Sequence, residues 1–369
     1  MRVKGEQQRV NVVAWLILGA DFLMMLTALT LTLPPQSFAL SVLAPHVAAA
    51  VLMAAFGPYL FAGVDWLLVI VLLIGHLWLM HLLVRRVRTF EVFGRWARLA
   101  RRLALGAAVL LSLLACYYEF PVKEHYEFAS SKVSGEPVRL AVISDLHSCS
   151  YGGRADPVLR DIAGLNADAV LLTGDIFDDR LSDDNAQNLV KRIVDIYPCF
   201  YVSGNHEYWS ERIDEMKAWL RSVGVAVLEG ECVTLSVKGT RIDICGVDDP
   251  TYMSDDQWLG QLKQADEQSD SSHLRILLTH RPERVSDYEH FGFDLIFAGH
   301  AHGGQWRIPF TGCGGYAPDQ YFFPRYVDGR YDLANGSVML VSRGLAREST
   351  PLPRLFNSPE ILVLDIGGR

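Results

Sequence analysis

The chain has 369 residues, half of them hydrophobic, and a positive mean hydropathy that is unusual for a soluble enzyme. Its net charge of −8 argues against a nucleic-acid binder, which is normally basic. The six cysteines show no Cys-x-x-Cys pairing. Neither a zinc knuckle nor a disulfide framework is expected, so Cys116, Cys149, Cys199, Cys232, Cys245 and Cys313 read as small buried hydrophobes.

Two compositions share the chain. The segment to about residue 125 is net positive by about 5 and the remainder net negative by about 13, which together give −8. Val12 to Leu33, Phe38 to Ala62 and Val64 to Val84 are apolar runs long enough to cross a bilayer. Leu103 to Tyr118 is a shorter fourth run, closed by Tyr117 and Tyr118 as an interfacial aromatic belt. A cleaved signal peptide does not fit several successive runs of this length. Asp21, His46, His76 and His81 are few and scattered, and read as interfacial or interhelical polar residues of an anchor. Seven arginines from Arg85 to Arg102 stand against one acid, Glu91. The positive-inside rule puts that loop in the cytoplasm and, if the fourth run crosses, everything after it outside. Arg2, Lys4 and Arg9 pull the other way. The expectation is a multi-pass cell-membrane protein, with an all-α bundle of about four transmembrane helices over 1–122 and an extracytoplasmic domain beyond it.

Residues 123–136 are polar, carry Ser130-Ser131 and Ser134-Gly135, and read as a linker. From 137 to 369 short apolar runs alternate with amphipathic stretches. Val138 to Ile143 reads as a buried strand ending in Asp145-x-His147, whose side chains would point the same way in an extended strand end. Asp156-Pro157 opens a helix to about Leu165. Ala169 to Leu172 is a strand running into Gly174-Asp175-Ile176-Phe177-Asp178. Ser182 caps a helix over Ala186 to Val194, and Phe200 to Val202 delivers Gly204-Asn205-His206-Glu207. Glu211 to Val223 has helical spacing. Val233 to Val237 and Arg241 to Cys245 form a hairpin at Lys238-Gly239. Arg275 to Thr279 ends at His280, and Asp294 to Ala298 ends at Gly299-His300-Ala301-His302. Tyr331 to Ser342 turns at Asn335-Gly336, and Ile361 to Ile366 is the last strand.

The repeated event is a strand followed by a polar loop holding Asp, Asn or His. In open α/β sheets ligands gather beyond strand ends, so these loops share one rim. Asp145, His147, Asp175, Asn205, His280, His300 and His302 are too many donors for one tetrahedral zinc. They suit two ions sharing a bridging carboxylate, and carboxylate plus imidazole favours manganese, iron or zinc. Two such ions suit attack at phosphorus. Each motif alone has a plainer reading as a turn, a cap or a structural histidine. What carries the argument is their recurrence at five strand ends.

In order and spacing, Asp145-x-His147, Gly174-Asp175-x-x-Asp178, Gly204-Asn205-His206-Glu207, His280 and Gly299-His300-x-His302 resemble the five motifs of calcineurin-like metallophosphoesterases. Gly303-Gly304-Gln305, Phe323-Pro324-Arg325-Tyr326, Val341 to Leu345 and Phe356 to Ile361 resemble the membrane-linked bacterial subgroup. The four-run front is similar to transmembrane proteins with a metallophosphoesterase domain. The resemblance implies a four-layer αββα sandwich of the α/β class with two divalent metal ions at its rim. One ion would be held by Asp145, His147 and His302 and the other by Asn205, His280 and His300, with Asp175 bridging. It implies that His206, oriented by Asp178, protonates the leaving oxygen; Arg343 is a weaker candidate for phosphate binding.

The function expected is a metal-dependent hydrolase of a phosphomonoester, phosphodiester or pyrophosphate bond. Its substrate would be a phosphate ester, plausibly lipid-linked, with the bilayer as its other partner; no nucleic acid and no protein partner are inferred. The subgroup includes UDP-2,3-diacylglucosamine hydrolases of lipid A synthesis, a pathway that needs a cytoplasmic site. The alternative is a membrane-anchored sensor or scaffold on an inactive phosphoesterase fold.

Overall fold

Among the described residues fourteen short apolar or alternating runs become strands because β-branched and aromatic residues suit a pleated, half-buried surface. The structure, a computed structural model, describes residues 121–151, 156–308, 311–346, 354 and 356–368. The four apolar runs, their scattered polar residues, the seven-arginine loop and Cys116 lie outside these residues. Among the described residues no helix is long and apolar enough to cross a membrane.

In chain order the strands are β1 Val122–Ser130, β2 Val138–Ile143, β3 Ala169–Thr173, β4 Cys199–Val202, β5 Ala226–Val227, β6 Cys232–Val237, β7 Thr240–Gly246, β8 Leu274–Leu278, β9 Leu295–Ala298, β10 Tyr316–Ala317, β11 Tyr321–Phe322, β12 Gly329–Asp332, β13 Val338–Val341 and β14 Glu360–Gly368. The helices are α1 Asp156–Ala163, α2 Asp184–Val194, α3 Asn205–Trp209, α4 Ile213–Ser222, α5 Asp255–Gln268 and α6 Val285–Tyr288. One six-stranded sheet has the order β1-β14-β2-β3-β4-β5 and a second β12-β13-β9-β8-β7-β6, while β10 and β11 pair as a small hairpin.

The period-two pattern sorts side chains between layers. Leu140 and Val142 of β2 point between the sheets, where they join Leu171, Ile244, Ile276 and Phe297. Ala141 and Ile143 point outward under α1, α2 and α4, against Val158, Ile162, Leu189 and Leu220. The outer face of the second sheet packs Leu277, Ile296 and Met339 against Trp258 and Leu262 of α5 and Tyr288 of α6. The result is a mixed α/β sandwich with helices outside both sheets.

Two expectations need correction, and one helix lies outside them. The polar stretch 123–136 is not simply a linker, because Val122–Ser130 adds a parallel edge strand to β14, with Val122 opposite Glu360 and Ser130 opposite Gly368. Its polar, alternating pattern is what an edge strand with one wet face requires. The cysteines are not all isolated hydrophobes either. Cys232 and Cys245 are cross-strand partners in the β6–β7 hairpin and form a disulfide. Helix α5 was not anticipated: Trp258, Leu262 and Ala265 bury one narrow face of an otherwise polar segment, and Ser254 with Gln257 forms its capping box.

Candidate metal centre

Strand β2 ends at Ile143, and the backbone then turns left-handed at Asp145 and His147, each with φ near 48°. Their amides leave the ladder for the neighbouring loop, Asp145 N bonding Gly174 O at 3.0 Å and His147 N bonding Asp175 O at 2.9 Å. The two side chains are therefore set by the loop after β3 and not by an extended strand. The segment from His300 to His302 departs from expectation in the same way. His300 has φ 66° and His302 φ 48°, and a 3₁₀ turn runs from His302 to Gly304. The two rings consequently serve different neighbours.

His302 joins Asp145 and His147, and His300 joins Asp175 and His280; in each trio the donor atoms lie within 4.8 Å of one another. His280 Nε2 lies 3.1 Å from Asp175 Oδ2 and 3.9 Å from Asp145 Oδ1, which links the trios. His147 Nε2 is 3.5 Å from Asp175 Oδ2, and His302 Nε2 is 3.5 Å from Asp145 Oδ1. All seven expected donors, Asn205 included, are buried on this rim.

The ring tautomers are constrained from behind. His280 Nδ1 donates to Thr173 O at 2.8 Å, and His147 Nδ1 donates to Asp178 Oδ1 at 3.1 Å. Both rings thus turn Nε2 inward. His147 Nε2, His280 Nε2, Asn205 Oδ1 and His302 Nδ1 are buried without a hydrogen-bond partner. Orphaned acceptors facing two carboxylates are what a cation site requires, and the donor set of nitrogen and oxygen fits a divalent ion. Burial alone would lower His280, yet the carboxylates of Asp175 and Asp145 outweigh it and push the ring up to about 10, the mark of a site short of positive charge. Burial, with His147 and Arg354 nearby, holds His302 well below its ordinary value, so that ring stays neutral.

His206 opens helix α3 next to Asn205 and is partly exposed. Its Nδ1 lies 2.8 Å from Asp179 Oδ1 and 3.4 Å from Asp178 Oδ1. The partner expected, Asp178, is the farther of the two because it is committed to His147. Burial would lower His206, but Asp175, Asp178 and Asp179 push it up to about 10. Trp209 packs against its ring with centroids 4.7 Å apart.

Arg343, the weaker candidate for phosphate binding, is held by two carboxylates. Its Nε donates to Glu360 at 2.7 Å and its Nη2 to Glu124 at 2.7 Å. Two carboxylates neutralise it, so its charge is spent on tying β1 and β14 to the rim. Two close approaches hold the Asp175 and Asp145 carboxylates in place. A Cβ on Gly204 would come within 2.2 Å of Asp175 Oδ1, and one on Gly344, which has φ 69°, within 2.5 Å of Asp145 Cβ.

Glu207 carries more than its motif suggested. Its Oε2 accepts from the amides of Asp175 at 3.0 Å and Gly204 at 2.9 Å, and its Oε1 from Ile176 at 2.7 Å and Phe177 at 3.1 Å. Burial and the Asp175 carboxylate push the carboxyl up, whereas four amide donors at both oxygens fit the ionised form. Asp319 and Arg281 also escaped the sequence reading. His300 Nε2 lies 2.9 Å from Asp319 Oδ2 and 3.1 Å from Arg281 Nη1, and Arg281 is clasped by Asp249 and Asp319. Arg281 follows His280 directly and could have been flagged; Asp319 comes from a remote loop with no motif. A recess of about 340 Å³ lined by Thr251, Met253, Arg281, Glu283 and Asp319 adjoins this group.

The residues that build this rim fall in a stretch that is similar to known proteins. Residues 138–304 match the family model described as calcineurin-like phosphoesterase. An uncharacterized Bacillus subtilis protein, YpbG, is 29% identical over 73% of this chain and 97% of its own length. Phosphodiesterase YaeI of Escherichia coli is 25% identical over 51% of this chain and 68% of its own. A transmembrane protein with metallophosphoesterase domain from Bos taurus is 27% identical over 62% of this chain, and the match spans 52% of that relative. Among further curated relatives the span is about 60% of their length. Residues 138–304 thus carry a domain of the calcineurin-like phosphoesterase kind, with candidate metal ligands on its rim.

Proposed function

We propose that this chain is a membrane-anchored hydrolase that cleaves a phosphomonoester, phosphodiester or pyrophosphate bond of a lipid-linked substrate with two divalent ions. The observation that carries the reading is the set of inward-facing, unpartnered atoms: His147 Nε2, His280 Nε2 and Asn205 Oδ1. Asp145, His147 and His302 would hold one ion and Asn205, His280 and His300 the other, with Asp175 between them. When bound, the ions supply an acidified water and charge stabilisation at the phosphoryl oxygens. The remaining work falls to the chain. Asp179 and Asp178 face His206 Nδ1, which leaves the other ring nitrogen to give a proton to the leaving oxygen. Asp319 accepts from His300 Nε2, which leaves Nδ1 for the ion.

The anchor is residues 1–121, and the catalytic domain then begins with β1. Anchoring raises the effective concentration of the site at the bilayer, which favours a lipid-linked ester. The cross-strand disulfide supports an oxidising compartment, as the arginine-rich loop does. An extracytoplasmic lipid phosphate is therefore favoured over a lipid A precursor, whose hydrolysis is cytoplasmic.

The test uses the full chain in detergent, with bis-p-nitrophenyl phosphate and added manganese. About two ions per chain and turnover are expected. His206→Ala should keep the ions and lose about 10²–10⁴-fold in rate, whereas Asp175→Ala should lose the ions. Metal binding without hydrolysis would favour the sensor reading. Equal metal loss in both variants would remove His206 from the acid role. A reporter fused after Arg369 decides the side of the membrane.

A further inference from the structure

Tyr321, Phe322 and Phe323 are consecutive and exposed to 70%, 60% and 72%. Single exposed apolar residues are ordinary, but a contiguous aromatic patch marks an interaction surface. The backbone is left-handed at Asp319, Tyr321 and Phe323, a conformation bulky side chains rarely adopt. Ile308 is also exposed, at 46%, and its N–H donates to Cys313 O at 3.0 Å. Arg325 is exposed at the shoulder of the patch, its guanidinium 5.1 Å from the Tyr326 ring.

This tip is fastened to the candidate metal centre. Asp319, two residues before Tyr321, bonds His300 Nε2 at 2.9 Å. Phe323 N donates to Gly315 O at 3.1 Å, and Gly315 N donates to Gly304 O at 3.0 Å, two residues from His302. The chain also enters the domain on this rim. Val122 pairs with Glu360 and Leu362 pairs with Val142, so the start of β1 lies level with the end of β2 that carries Asp145. In the sequence only Glu119, Phe120 and Pro121 separate the last apolar run from β1. A tether of three residues spans roughly 10 Å.

We propose that Tyr321, Phe322 and Phe323 dip into the interfacial layer of the lipid bilayer and hold the rim of the site at headgroup level. The proposal rests on the membrane-anchored reading above. The occupant is the bilayer because the site end of the domain is the end on which a short, apolar-led tether arrives. Aromatic rings prefer the headgroup boundary, and an adjacent arginine suits lipid phosphates.

The experiment is lipid-phase photolabelling with a hydrophobic aryl diazirine. The full chain is reconstituted in mixed phosphatidylethanolamine–phosphatidylglycerol vesicles, and the labelled peptides are mapped. Label is expected both on peptides from residues 12–118 and on the peptide carrying Tyr321 to Phe323. Phe322→Asp with Phe323→Asp should lose the second label while hydrolysing bis-p-nitrophenyl phosphate in detergent at the parent rate. Label on the front but not on the aromatic peptide overturns the inference and leaves the anchor standing, and a second copy or a protein partner covering the tip gives this same result. Label on neither removes the anchor reading and the inference with it. The unsubstituted chain alone decides these outcomes, so a poorly folding variant does not blunt the test.

Discussion

Replacing Glu207 with Gln tests whether one buried carboxylate holds the metal loop together. The two oxygens of Glu207 take four amides from Asp175, Ile176, Phe177 and Gly204. Gln keeps one acceptor and turns an NH2 toward two amide donors. Two charge-assisted bonds at roughly 1.5–3 kcal/mol each give a loss of about 3–6 kcal/mol. That is a large share of a domain stability of about 5–15 kcal/mol, so the variant should fold but unfold early. Because Asp175 sits on the loosened loop, metal affinity should also fall about 10–100-fold. The assay is a denaturation midpoint of the full chain in mild detergent, followed by a metal titration. Glu267→Gln, which loses only an exposed pair with Lys263, is the control and should cost under about 1 kcal/mol. A Glu207→Gln loss no greater than the control would refute the argument. It would mean that the folded chain holds Glu207 protonated, a form that Gln copies.

Gly204→Ala places a Cβ against Asp175; a fall in metal affinity of about 10–100-fold is expected by isothermal titration, with the fold intact by circular dichroism. Asp243 is pulled up by burial but held below the ordinary carboxylate range by the Thr234 hydroxyl, the Asp270 amide and His273. Its folded value lies below its unfolded one, so its stabilisation is present above about pH 4 and is lost as pH falls through the folded value. Asp243→Asn should therefore flatten the fall in melting temperature between about pH 5 and about pH 2, and parallel profiles would count against the pairing. Reducing Cys232–Cys245 should lower stability by about 1–3 kcal/mol, read as a midpoint shift with dithiothreitol that Cys232→Ser no longer shows.

The strands that deliver the donor loops, and the order of those loops, were legible in the sequence because both are local. Val138 to Ile143 announces a strand by its β-branched period, and Gly174-Asp175 or Gly204-Asn205 announces a polar turn after one. The hairpin at Lys238-Gly239 was equally plain, and both residues take the left-handed conformation such a turn needs. What the sequence did not contain is how side chains far apart in it meet. Glu124 neutralises Arg343 across 219 positions, and Asp319 reaches His300 from a loop without a motif. Cys232 meets Cys245 only because the register of β6 and β7 sets them opposite each other. The left-handed backbone at Asp145 and His147 was likewise out of reach, since their amides leave the ladder for the neighbouring loop, as was the turn of the His300 amide to the Asp145 carboxylate. Periodicity and composition thus determined which residues stand at the strand ends. Sheet order, register and the capture of strand-end amides decided where each one points, because those quantities depend on partners that only the folded chain brings into contact.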